Sequence, residues 1–197
     1  MNWGIINCPN DSDTITNVLS NFKDRNEVTI VELGVGEGNT GNRIVDYLKT
    51  LNIKNITYYG IDNKSLSLIS EEYTQHKFEH KEMKFILGDR NNIPECDFIL
   101  LDACHCAECV FLDGIAASKL VRKNGYMAFH DTSLLWQYPY DNNQGSWQHY
   151  ESGHQIRPLN VVEGIVSGRC KWDGDWQLIT QTGDELSWGG VRIYQKG

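Results

Sequence analysis

The segment Glu32-Leu33-Gly34-Val35-Gly36-Glu37-Gly38-Asn39-Thr40 carries the densest chemical signal in the chain. Glycines at alternate positions let a backbone turn sharply and come close to a ligand. An apolar, β-branched run precedes the loop and a helix-compatible run follows it, which is where open α/β sheets hold nucleotide-like ligands. A tight turn without a ligand would also use such glycines. The spacing is GxGxG, whereas a dinucleotide fingerprint reads GxGxxG and offers helix amides to a pyrophosphate. Glu37 lies inside the loop and Glu32 just ahead of it, and a carboxylate beside a pyrophosphate is repulsive. The loop therefore suits a cofactor that lacks phosphate and carries positive charge. Three more carboxylates follow successive apolar runs. Asp62 stands where a carboxylate accepts both hydroxyls of a ribose. Asp89, in Leu87-Gly88-Asp89-Arg90, can accept from an adenine amino group. Asp102 closes the fourth run. Each alone is an ordinary turn residue; together, at successive strand ends, they form a set.

These residues need a scaffold, and the apolar pattern supplies one. Val28–Leu33 reads as a buried strand, with a helix from Asn39 or Thr40, either of which can cap it, to about Leu51. Ile44, Val45 and Leu48 share one face of that helix. Ile56–Ile61 is a second strand, and Ser65–Tyr73 a helix carrying Leu66, Ile69 and Tyr73. Lys84–Leu87 and Asp97–Leu101 are the third and fourth strands. Val110–Arg122 reads as a helix, with Leu112, Ala116 and Leu120 at four-residue steps. Asn124-Gly125 then turns the chain into a strand over Tyr126–Phe129. Strands alternating with helices, and apolar almost throughout, imply a parallel sheet covered on both faces. Trp176–Thr180 and Val191–Tyr194 add an antiparallel pair at the sheet edge, joined through Gly183, Gly189 and Gly190. Asn160–Val166 is compatible with a short helix. Residues 1–27 read as an N-terminal extension of a single domain spanning residues 1–197.

A chain of 197 residues, 40% hydrophobic and 22% charged, suits one globular domain. It has no apolar run long enough for a membrane helix and no basic segment followed by an apolar one at its N-terminus. A cytoplasmic protein without a membrane partner is expected. The net charge of −8 and the lack of a Lys/Arg cluster disfavour nucleic acid as a partner. Six cysteines are present, among them Cys106 and Cys109 as a CxxC pair next to Cys104 and His105. No second ligand pair lies at a zinc-finger distance, so reduced thiols are the simpler reading.

Over Val28 to Asp131 the chain resembles the class I methyltransferases, whose successive cofactor motifs match the glycine loop, Asp62, Asp89 and Asp102. The resemblance implies a Rossmann-like three-layer α/β/α sandwich, with a mostly parallel seven-stranded sheet ending in an antiparallel edge pair. It implies S-adenosylmethionine as cofactor, whose sulfonium and ammonium tolerate nearby carboxylates. Glu32, Gly34, Gly36 and Gly38 would line its methionine part, Asp62 its ribose and Asp89 its adenine. Leu101-Asp102-Ala103-Cys104-His105 and the strand end His130-Asp131 are similar to the O-methyltransferase-like group whose fourth and fifth strands end in DGDH and in HD or ED. In some members these positions bind magnesium beside substrate hydroxyls. Carried over, Asp102, His130 and Asp131 are candidate ligands for Mg2+ or another divalent cation, and Asp102 also lines the cofactor site. The sequence departs from the group at Cys104, which replaces the second acid of DGDH. His130 is also a softer ligand than magnesium usually takes. His105 is the candidate general base, unless it caps the following helix.

The stretch Thr132–Leu159 is long and aromatic, with Trp136, Tyr138, Tyr140, Trp147, His149, Tyr150 and Arg157. It suits a lid or substrate wall over the strand ends, or a contact surface in a homo-oligomer. The expected activity is methyl transfer to a small molecule, at a hydroxyl oxygen. Two rivals stand beside it. A nicotinamide-dependent oxidoreductase is opposed by Glu37 and the loop spacing. A non-catalytic module that keeps the cofactor fold and binds a partner draws its support from Cys104.

Overall fold

The fold comes from a computed structural model that describes residues 9–36, 38–62, 84–87, 93–103, 107–133, 172–183 and 189–197. The helices expected over Ser65–Tyr73 and Asn160–Val166 lie outside these residues, as does the aromatic stretch beyond Ser133.

Helix α1 spans Pro9–Leu19 and runs into a 3-10 turn at Ser20–Phe22. Strand β1 follows at Glu27–Leu33, helix α2 at Asn39–Thr50 and β2 at Asn55–Ile61. Strands β3 (Lys84–Leu87) and β4 (Cys96–Leu101), helix α3 (Ala107–Leu120) and strand β5 (Val121–His130) come next, then β6 (Trp176–Gln181) and β7 (Val191–Lys196). Among the described residues the strands form one seven-stranded sheet in the order β3-β2-β1-β4-β5-β7-β6. The pairings β2–β3, β1–β2, β1–β4 and β4–β5 are parallel, while β7 runs antiparallel to both β5 and β6. The chain leaves β1 toward β2 on one side and returns to β4 on the other. The strand order thus reverses between β1 and β4, and such a switch opens a crevice at the carboxyl ends.

Side chains alternate across the sheet and build two cores. On one face Ile15, Leu19 and Phe22, with Ile44, Val45 and Leu48 of α2, cover Val28, Ile30, Tyr58, Phe98, Leu100, Ala128 and Ile193. On the other, Val110 and Ala117 of α3, with Trp172, cover Val31, Leu33, Ile99, Met127, Phe129 and Tyr194. The second core holds an aromatic stack, with the Phe129 and Trp172 rings 5.4 Å apart and nearly parallel. Helices therefore lie on both faces of the sheet. At its amino edge, Asp97 accepts from Arg25, Arg122 and the Thr29 amide, at 3.1, 3.0 and 2.8 Å.

Within residues 1–27, helix α1 packs into the first core. Three expectations are corrected. Neither Asn39 nor Thr40 caps α2: its N-cap is Gly38, left-handed at φ 81°, with no side-chain cap. The loop needs that backbone conformation to enter the helix, which moves Asn39 and Thr40 into the first turn. Helix α3 starts earlier and ends at Leu120, and its buried face is Val110, Gly114, Ala117 and Ser118. Leu112 is 56% exposed, and Ala116 is exposed as well. This helix is apolar on several sides, so spacing alone does not select its inner stripe. Finally, Asn124-Gly125 is a bulge inside β5. Cys96 pairs with Val121 and Phe98 with Tyr126, so the intervening residues loop out, with Asn124 at φ 61°.

Candidate functional site

Register brings the carboxylates together. Leu33 lies opposite both Ile61 and Leu101, and Leu101 opposite Phe129. Gly34, Asp62 and Asp102 leave the sheet at the carboxyl ends of β1, β2 and β4, level with His130, the last residue of β5. Antiparallel β7 begins at that end, with Val191 opposite His130.

The glycine loop is tied to its neighbours by backbone. The Gly34 amide donates to the Ile61 carbonyl at 2.8 Å, and the Asp102 amide donates to the Leu33 carbonyl at 2.8 Å. Gly34 sits at φ 89°, and a Cβ there would fall 2.1 Å from the Asp102 carbonyl oxygen. Only glycine fits so close to β4. Gly36, at φ 53°, differs: among the described residues, no atom beyond its chain neighbours lies within 4 Å of where its Cβ would be. Its amide donates to Asp62 Oδ2 at 2.9 Å, so the carboxylate after β2 fixes the loop and stands beside an open cradle. Glu32 is almost fully buried in β1. By the alternation of the strand it lies on the α1 and α2 side, with Ile30. Glu37, Asp89 and His105 lie outside the described residues.

The second cluster is centred on His130, on the same side of the sheet. Its Nδ1 is 3.0 Å from Asp102 Oδ1 and 3.4 Å from Asp131 Oδ2. Its Nε2 is 3.3 Å from Asp11 Oδ2. Asp131 is left-handed at φ 55°, a conformation asparagine and aspartate tolerate better than most residues. Behind it, the amides of Thr132 and Ser133 donate to the Gly190 and Gly189 carbonyls at 3.1 and 3.0 Å. Burial pushes the His130 imidazole down, but the charges of Asp131 and Asp102 and the hydrogen bonds to Asp102 and Asp11 outweigh it. The ring is held well above its usual 6.5. For Asp11, burial works upward, yet the hydrogen bonds with His130 and Thr182, the charge of His130 and the Gly190 amide hold it below 3.8. Without a cation, the cluster is an imidazolium among three carboxylates.

Asp102, His130 and Asp131 each offer a ligand atom, all within 4.8 Å of one another. Two carboxylate oxygens and an imidazole nitrogen suit a borderline divalent cation such as Mn2+ or Zn2+ better than Mg2+, which prefers oxygen. The sequence reading brought these three together but missed Asp11. A signal for its helix existed: Ile15, Val18, Leu19 and Phe22 recur at helical spacing after Pro9-Asn10-Asp11-Ser12. Nothing in the sequence pairs Asp11 with His130. Among the cysteines, Cys96 is buried in β4, where desolvation and the neighbouring Asp97 push its thiol up to about 12. It is an inert core thiol.

Neither a protein-family model nor a curated protein matches the sequence. Solved structures do. One is a protein assigned as a class I S-adenosylmethionine-dependent methyltransferase from Listeria monocytogenes, at 12% identity and a TM-score of 0.56, covering 94% of this chain and 59% of that one. The fold is that of the class I methyltransferases. MycE methyltransferase of the mycinamycin biosynthetic pathway, in complex with Mg and SAH, shares it at 17% identity and a TM-score of 0.56, over 94% of this chain and 49% of its own. So does human N-acetylserotonin methyltransferase in complex with SAM, at 14% identity and a TM-score of 0.55, over 95% of this chain and 52% of its own. The chain spans half to three-fifths of the length of these methyltransferases. Among its described residues, no helix is long and apolar enough to cross a membrane.

Proposed function

We propose that the protein catalyses S-adenosylmethionine-dependent methyl transfer to a hydroxyl oxygen of a small molecule, with help from a divalent cation. The observation that carries the reading is the row of Gly34, Asp62, Asp102 and His130 at the carboxyl ends of the parallel strands of a methyltransferase fold. When bound, the cofactor supplies an activated methyl group, and the cation lowers the pKa of the acceptor hydroxyl.

The chain's own residues supply position. Gly34 keeps the loop against β4, and Gly36 leaves its outer surface open to a close ligand. Asp62, held by the Gly36 amide at 2.9 Å, presents a carboxylate to the ribose hydroxyls. Asp89 accepts from the adenine amino group, and Glu32 with Glu37 places negative charge near the sulfonium and ammonium. Asp102, His130 and Asp131 hold the cation and thereby align the acceptor hydroxyl. His105, three residues after Asp102, takes the hydroxyl proton. The acceptor is small and not nucleic acid, in keeping with the net charge of −8.

Calorimetry with S-adenosylmethionine and S-adenosylhomocysteine tests the core of this reading. The intact chain is expected to bind both, and Asp62→Ala to weaken binding by about tenfold or more, the loss of a charge-assisted hydrogen bond. Heat with NADH but with neither sulfur ligand would replace the methyltransferase by the oxidoreductase.

A further inference from the structure

Asp11 belongs to neither the glycine loop nor the strand-end motifs, yet it is built into the site with unusual care. Its side chain is buried, and three groups distant in sequence converge on it. His130 Nε2 lies 3.3 Å from Oδ2. The Gly190 amide donates to the same oxygen at 2.8 Å. The Thr182 hydroxyl donates to Oδ1, while its own oxygen accepts the Val191 amide at 3.0 Å. A buried carboxylate is costly unless charge and hydrogen bonds compensate it. Here α1, the residue after β6 and the start of β7 all contribute to holding one carboxylate against the outer nitrogen of His130.

An imidazole has two nitrogens, and the partner of one determines what the other can do. Nδ1 faces the space shared with Asp102 and Asp131, while Nε2 faces Asp11. We infer that Asp11 is a positioning residue: by accepting a hydrogen bond from the Nε2–H it turns the Nδ1 lone pair of His130 toward Asp102 and Asp131, making His130 the nitrogen ligand of the divalent cation. The inference rests on the cation part of the proposed function. A proton on Nδ1 would block this ligand, so the cation takes that proton's place and Nε2 stays protonated. Outer partners of this kind orient the ring and raise its basicity, and their loss costs 10- to 100-fold in cation affinity.

The test uses the full chain and Mn2+, titrated by electron paramagnetic resonance at constant pH. Asp11→Ala is expected to lower Mn2+ affinity about 10- to 100-fold with an unchanged circular dichroism spectrum. Asp11→Asn, which keeps an acceptor oxygen, is expected to restore most of the affinity. Unchanged binding by Asp11→Ala would overturn the role of Asp11 and leave the cation site standing. Absence of Mn2+ binding by the native chain would remove the site and the inference together. Should Asp11→Ala not fold, nitrogen NMR of the native chain with Zn2+ decides. A protonated Nε2 and an unprotonated, cation-bound Nδ1 are expected, and the reverse assignment would refute the proposal.

Discussion

At the scale of single residues, the site turns on how charge is balanced around His130. Without a cation, its imidazole is drawn toward the protonated form because Asp102 and Asp131 face Nδ1 and Asp11 faces Nε2, at 3.0, 3.4 and 3.3 Å. The raised affinity of His130 for a proton stabilises the fold fully below its ordinary 6.5, and that stabilisation is lost as pH rises through the raised value. Asp11 works in the opposite sense. Its contribution is present above its ordinary 3.8 and is lost as pH falls through the lowered value. In the presence of chelator, the melting temperature should therefore be highest between these limits and fall on the alkaline side. Each unit by which His130 is raised is worth about 1.4 kcal/mol. His130→Gln should be less stable near neutrality and should lose the alkaline limb, as melting curves from about pH 6 to about pH 9.5 would show. An alkaline limb that survives this substitution would mean that His130 does not carry it.

At the scale of elements, two glycines of one loop have different duties. Gly34 is required by the fold, since a Cβ there would meet the backbone of Asp102 and Ala103 at 2.1 and 2.5 Å. Backbone on both sides cannot give way, so Gly34→Ala should destabilise the protein by about 2 kcal/mol or more. Gly36 has open space and only an unfavourable φ of 53°, so Gly36→Ala should cost about 1–2 kcal/mol. Its new methyl group would occupy the surface assigned to the cofactor. Gly36→Ala should therefore remain folded and lose S-adenosylhomocysteine binding by calorimetry, whereas Gly34→Ala should lose thermal stability first. Equal binding by Gly36→Ala and the native chain would move the cofactor away from this loop. The positions of the glycines were legible in the sequence, but their separate roles were not. That distinction depends on which strand lies across from each one.

At the scale of the whole molecule, α1 joins the core to the site. Ile15, Val18, Leu19 and Phe22 are almost fully buried against the sheet, and Asp11 one turn earlier reaches His130. At about 1.5–3 kcal/mol for each buried side chain, these four contribute about 6–12 kcal/mol. That rivals the entire stability of a typical domain, about 5–15 kcal/mol. A chain lacking residues 1–22 should accordingly fail to give a cooperative melting transition. A well-folded truncation would show that α1 is dispensable to the core.

Sequence and tertiary structure divide the determination along a physical line. Local apolar runs placed β1, β2, β3 and β4 to within a residue of their observed bounds; in β1 and β4 this is because a strand buried on both faces is apolar almost throughout. The glycine loop and the carboxylates Asp62, Asp102 and Asp131 were legible for a related reason: they stand where apolar runs stop. What local pattern could not carry was any relation between distant segments. The buried stripe of α3 was ambiguous until the sheet chose Val110, Gly114, Ala117 and Ser118, and the cap of α2 followed from the backbone path through Gly38 rather than from a polar side chain. Asp11 became part of the site only because α1 packs against β7 and the residues leading into it, closing a contact with His130 over 119 residues. Proximity of that kind is a property of packing, and in the glycine loop the same packing holds Gly34 against Asp102.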